Sequence, residues 1–234
     1  MDKIIKITLG IFVVLLVAFA ASAGYSVYVE NAYRTSLTSA YSYTCAITTD
    51  SPLTNVTMFI PVPADPGGNS PIIGEFSAHM IKGVPDTWKT ELYDTGKATL
   101  VKITAPSLGP GTLTLYTNAT SKNLIDTQNP VENSPMFRQV QDLKTTECTS
   151  GITGGRCDTF RTAVYADYQA APGTSVTVAS SLVGRNEWKV FGPEFNEYRT
   201  GITALMSGEQ KDWTTVSGYL ETSIGAYDAP ALHV

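Results

Sequence analysis

Residues Ile7 to Val29, ITLGIFVVLLVAFAASAGYSVYV, form an uncharged run of 23 residues between Lys6 and Glu30. As a helix this run is about 35 Å long at ~1.5 Å per residue, enough to cross a hydrocarbon core of roughly 30 Å with some tilt. A buried helix of a cytosolic domain would need apolar surface to match, and nothing later in the chain is as apolar. Two readings remain. In the first, residues 7–29 are a retained anchor whose partner is the lipid bilayer. In the second, Ile7 to Ala20 is the apolar region of a signal peptide and Ala21-Ser22-Ala23 a cleavage site, so that the mature chain is secreted and begins at Gly24. The run exceeds the usual apolar region of about 7 to 15 residues, which favours the anchor. In both readings Lys3 and Lys6 stay in the cytoplasm and the chain after Glu30 lies outside. The expected organisation is a signal-anchor or signal peptide over 1–30 and one extracytoplasmic domain over 31–234.

Lys3 and Lys6 balance Asp2 and Glu30, so the remainder keeps the chain's formal net charge of −5. With no basic run to neutralise a phosphate backbone, nucleic acid is not an expected partner. The 43% hydrophobic content supports a substantial core, and about 200 residues suit one all-β domain. From Tyr41 onward, short β-branched and aromatic runs alternate with turn residues, which predicts a mainly β, antiparallel sandwich. Strands are expected near 40–49, 54–62, 89–94, 98–105, 111–118, 158–168, 174–183, 187–191, 197–206 and 213–222. Asp94-Thr95-Gly96-Lys97 reads as a hairpin turn, as does Ser207-Gly208-Glu209-Gln210-Lys211. One short helix is expected in SPIIGEFSAHMI, residues 70–81, with Ser70 as its cap, Pro71 in its first turn, and Ile73, Phe76 and Met80 on one face. The stretch from Ser121 to Glu147 shows no period and reads as a long surface excursion.

Several features suit an oxidising, glycosylating exterior. Asn55-Val56-Thr57 and Asn118-Ala119-Thr120 are N-glycosylation sequons. Alternation places Val56, Met58, Ile60 and Val62 on one strand face, leaving Asn55 toward solvent; Leu113 and Leu115 likewise oppose Asn118. Unmodified surface asparagines fit the same pattern. Cys148 and Cys157 flank the loop TSGITGGR and are the disulfide candidates. Cys45, in YSYTCAITT, alternates inward with Tyr41, Tyr43 and Ile47 and reads as a buried free thiol.

No catalytic constellation emerges. His79 and His233 are the only imidazoles, and no G-x-S-x-G elbow or phosphate-binding loop occurs. Three cysteines and two distant histidines lack the paired spacing of a zinc site, and Asp65 and Asp158 offer oxygen ligands without a calcium loop. No cofactor is expected. Glu187, Glu194 and Glu197 cluster in NEWKVFGPEFNE, where an acid and base pair of the glycosidase kind competes with a solvated strand end. Trp188, Phe191, Phe195, Tyr198, Trp213 and Tyr219 enrich the C-terminal third in rings, for which core packing is expected ahead of a ligand-stacking surface.

The N-terminal span, the opening TCAITTDSPLTNVTMFIPVP and the stretch SLVGRNEWKVFGPEFNEYRTGITALM resemble uncharacterised archaeal membrane-associated proteins with an extracytoplasmic β domain. That resemblance implies an archaeal envelope setting and transfers no functional residues. A type IV pilin is a weaker match, because Ile7 follows Lys6 where a processing site would carry Gly or Ala. The leading expectation is a noncatalytic cell-surface module, structural or binding, that meets envelope proteins or glycans. The alternatives are an extracytoplasmic hydrolase of envelope glycan or peptide and a subunit of a surface filament.

Overall fold

The computed structural model describes residues 3–96, 98–137, 141–148 and 155–227. They divide into two compact units. The first comprises the N-terminal residues through Leu37, Glu187–Phe195 and the stretch from Ala226; the second comprises Thr38–Asn186 and Asn196–Gly225.

The first unit is built on one helix, α1 (Lys3–Ser36, 34 residues). It runs past the uncharged stretch because its polar end is satisfied internally. Arg34 Nη2 donates to Glu30 Oε1 at 2.7 Å across one turn, and Thr35 Oγ1 donates to the Asn31 carbonyl at 2.7 Å. Arg34 also places its charge at the negative end of the helix dipole. By length and composition Ile5–Ser36 can cross a membrane, and none of its most apolar window is buried within the protein. Only the last turns are covered. Tyr33 meets Trp188 edge to face at 5.5 Å, and Leu37, Val190 and Ala226 pack around the pair.

The second unit begins with β1 (Thr38–Thr49), β2 (Leu53–Pro61), α2 (Pro71–Ser77), β3 (Lys89–Asp94), β4 (Thr99–Leu108) and β5 (Gly111–Ser121). It continues with α3 (Pro130–Asn133), β6 (Gln141–Thr146), β7 (Arg156–Gln169), β8 (Ser175–Lys189) as far as Asn186, β9 (Pro193–Ser207) from Asn196, and β10 (Gln210–Gly225). The strands form one sheet in the order β3-β4-β2-β7-β10-β9-β8-β1-β5, with β6 added on β7. It is a curled, half-barrel antiparallel sheet where a two-sheet sandwich was expected. Period-two alternation marks which side chains enter a core, and it reads the same whether a sheet folds over itself or two sheets face each other. The buried faces meet in register: Cys45 lies opposite Leu115, and Met58 opposite Ile103, all four at most 1% exposed.

Three expectations are corrected. Helix α2 has its Ser70 cap, accepting from the Ile72 amide, but stops at Ser77; His79 turns the chain with φ 55°. Ile72 and Phe76 are therefore the inward residues, and Met80 is exposed. The separate strands expected at 174–183 and 187–191 are one strand, β8, because Gly184-Arg185-Asn186 continues the ladder instead of turning. The stretch 121–147 is not a surface excursion: Ile125, Met136 and Phe137 enter the core. It ends in β6, a strand not expected from the sequence, and ahead of β6 its backbone is tied at single points. Ala64 and Met136 exchange both amide hydrogen bonds, and Asn186 Nδ2 and Oδ1 hold the carbonyl and amide of Ile125 at 2.9 and 3.0 Å. Such fastening leaves no periodicity to read. Both expected hairpin turns occur, with Gly96 and Gly208 at φ 74° and 69°; Lys97 lies outside the described residues.

Candidate binding face

On β2, Met58 and Ile60 point into the core, so Phe59 points out. The same alternation turns Tyr165 out between Val164 and Ala166 on β7. In register, Phe59 lies opposite Tyr165, and Tyr165 opposite Trp213 on β10. Tyr93 on β3 closes the row against Phe59. Successive ring centroids are 5.4 Å (Tyr93 to Phe59), 5.6 Å (Phe59 to Tyr165) and 5.5 Å (Tyr165 to Trp213). The pairs are crossed by 59–71°, an arrangement in which one ring's positive edge meets the next ring's negative face. Tyr93 is 53% and Trp213 51% exposed, so the ends of the row are open to solvent.

Polar side chains border the rings. Lys102 lies opposite Phe59 on β4 and reaches Glu91 on β3 at 3.6 Å. In the adjoining row Asp167 stands between Thr57 and Lys211. Four rings in contact, two cations, two carboxylates and a hydroxyl make a surface that can stack on a partner's apolar face and hydrogen-bond to its polar rim. Phe59, Tyr93 and Tyr165 carry no site signal in the sequence, and the expectation that Trp213 and Tyr219 are core is corrected, since both are exposed. Phe191 is also exposed, whereas Trp188 and Tyr198 are buried.

The residues singled out in the sequence fall elsewhere. Asn55 is exposed at a bulge with φ 54°, its Nδ2 donating to Gln169 Oε1 at 3.3 Å. Asn118 is exposed on β5, an end strand of the sheet, opposite Ser42. Cys148 and Cys157 are joined by a disulfide with Cα atoms 5.2 Å apart; residues 149–154 of their loop lie outside the described residues. Cys45 is buried and free, and desolvation pushes its thiol up to about 12.

Glu187 and Glu194 belong to the first unit, where Glu194 accepts from Trp188 Nε1 at 3.1 Å. Glu197, in the second unit, is 2% exposed and held by Arg199 Nε at 2.7 Å and Arg185 Nε at 3.6 Å. A buried carboxylate enclosed by two guanidinium groups has a structural duty. His79 borders an open groove of about 370 Å³ with Trp88, Lys89 and Glu91; His233 lies outside the described residues. Asp65 accepts from the Asn69 amide at 2.9 Å, and Asp158 pairs with Arg156 at 3.0 Å. Among the described residues no three His, Cys, Asp or Glu side chains gather to hold a metal. Comparison with known protein families, curated proteins and solved structures gave no match.

Proposed function

We propose that this protein is a noncatalytic cell-surface module, held outside the membrane by α1 and binding envelope glycan through the Tyr93, Phe59, Tyr165 and Trp213 row. The observation that carries the binding half is the row itself: large rings concentrated on an otherwise polar strand face mark an interaction site. The anchor half rests on an unburied apolar helix joined to a disulfide-bearing β unit, a bond kept in oxidising compartments. The hydrolase alternative draws nothing from Glu197, whose carboxylate is committed to two arginines. A filament built by strand addition would need open edges. Here β3 is short and carries Lys89, Glu91 and Asp94, and Lys82 exchanges both backbone hydrogen bonds with Tyr116 on β5.

The test uses the full chain in detergent micelles, titrated with oligosaccharides released from archaeal envelopes and followed by tryptophan fluorescence. The double substitution Trp213→Ala, Tyr93→Ala is expected to weaken binding about tenfold or more, equivalent to roughly 1.4 kcal/mol. Equal affinity of the double variant, or no binding by the wild type, overturns the reading. Intact-mass analysis of membrane-extracted protein is expected to return the uncleaved chain; a mass starting at Gly24 would remove the anchor.

A further inference from the structure

The turn between β8 and β9 is unlike an ordinary solvent-facing turn. Its residues Val190-Phe191-Gly192 carry at their apex a phenylalanine that is 70% exposed, where turns favour small polar residues. The turn is also fastened along α1. The Lys189 amide donates to Ser36 Oγ at 2.9 Å, Trp188 packs on Tyr33, and Phe191 stacks on Tyr25 at 6.1 Å with the rings only 13° from parallel. These contacts step down the helix from residue 36 to residue 25, toward its apolar half. Tyr25 stands five residues before Glu30, the first charge after the apolar run, or about 7.5 Å along the axis at ~1.5 Å per residue. Tyr25 and Tyr28 are themselves 58% and 59% exposed.

From this geometry we infer that the β8–β9 turn is a second membrane contact: Phe191, with Tyr25 and Tyr28, lies in the headgroup region of the outer leaflet of a lipid bilayer. The inference rests on the anchor reading of α1. If Ile7–Val29 occupies the hydrocarbon, Tyr25 and Tyr28 reach the level where aromatic side chains concentrate at membrane surfaces, and Phe191 is held at the depth of Tyr25 by their stacking. Burying its exposed ring there removes from water apolar surface that the other described residues leave uncovered. Lys189 is exposed on the same turn and places an ammonium where lipid phosphates lie.

The test reconstitutes the full chain into phosphatidylcholine vesicles, with and without bromine on the upper acyl carbons. Flotation with the vesicles reads the anchor alone. In Phe191→Trp, the fluorescence added over wild type is expected to be quenched by the brominated lipid and protected from aqueous iodide. Hydroxyl-radical footprinting of the unaltered protein in the same vesicles supplies a reading that no substitution can disturb. After each extent is divided by the intrinsic reactivity of its residue type, which is higher for phenylalanine than for leucine, Phe191 is expected to be oxidised about fivefold less than Leu205, although the two are similarly exposed at 70% and 73%. A chain that floats but shows iodide-accessible Trp at 191, or Phe191 oxidised as fully as Leu205, overturns this inference and leaves the anchor standing. A chain that does not float overturns both.

Discussion

Replacing Gly184 with alanine tests how the sheet closes over its core. A Cβ built on Gly184 would overlap Cε1 of Tyr198, with Cζ at 2.9 Å and Cδ1 at 3.0 Å, closer than side chains pack. Tyr198 is fully buried and its hydroxyl donates to the Pro135 carbonyl at 2.8 Å, so the ring has no free direction in which to move. Overpacking costs about 1–3 kcal/mol, and loss of the hydroxyl bond about 1 kcal/mol. Alanine returns roughly 0.5–1 kcal/mol because a glycine in a strand is entropically unfavourable. The net is a loss of about 2 kcal/mol. With a urea dependence of roughly 2–3 kcal/mol per molar, the midpoint should fall by about 0.7–1 M, read by circular dichroism on the chain in mild detergent. Gly201 is the internal control. Its Cβ would meet Tyr219 at 2.6–2.8 Å, but Tyr219 is 39% exposed and can swing into solvent, so Gly201→Ala should cost less than about 1 kcal/mol. Combining Gly184→Ala with Tyr198→Leu should abolish the alanine's own penalty, a coupling of about 2 kcal/mol. Equal midpoint shifts for the two glycine variants, or an unchanged midpoint for Gly184→Ala, would refute the reasoning.

Asn186→Leu should lower the thermal midpoint by about 6–12 °C, a loss of ~3 kcal/mol, because the buried amide serves Ser39, both backbone groups of Ile125, and Asn196; a shift below 2 °C in calorimetry would count against that network. Cys148→Ser with Cys157→Ser should cost about 2–3 kcal/mol in chemical denaturation, and the native wild type should show no thiol reactive toward Ellman's reagent until unfolding exposes Cys45. Alkali should unfold the protein. Burial, aided at Tyr41 by Asp65, pushes Tyr41 and Tyr168 up to about 12 from an ordinary value of 10.0, and Cys45 up to about 12 from 9.0. Each is neutral in the fold and ionises more readily when unfolded, so its contribution is complete below about pH 9 and is lost as pH rises toward 12. Phenolate absorbance at 295 nm should therefore show a class of tyrosines that titrates only together with loss of β signal; all of them titrating near pH 10 with the fold intact would contradict this.

Much of the β unit was legible because period-two alternation is a local property. TNVTMFIPV gives its own inward residues, and Val56, Met58, Ile60 and Val62 are all buried. The pairing of Cys148 with Cys157 was legible because a short chain segment brings the two together whatever surrounds it. The stretch 122–137 was not legible. Its buried residues are held by Asn186, Ala64 and Tyr198, partners distant in sequence, and a segment fastened at single points carries no repeating pattern.

The amino-acid sequence by itself determined the apolar run that becomes α1, the inward face of most strands, the turns at Gly96 and Gly208, and the absence of a recognisable catalytic motif. Tertiary structure alone decided that the strands join one curled sheet and that Phe59, Tyr93, Tyr165 and Trp213 touch. It also decided that Phe191 reaches Tyr25. The division follows from range: which face a side chain occupies depends on its immediate neighbours, whereas which strands become adjacent depends on how the whole sheet orders and curls to bury its core.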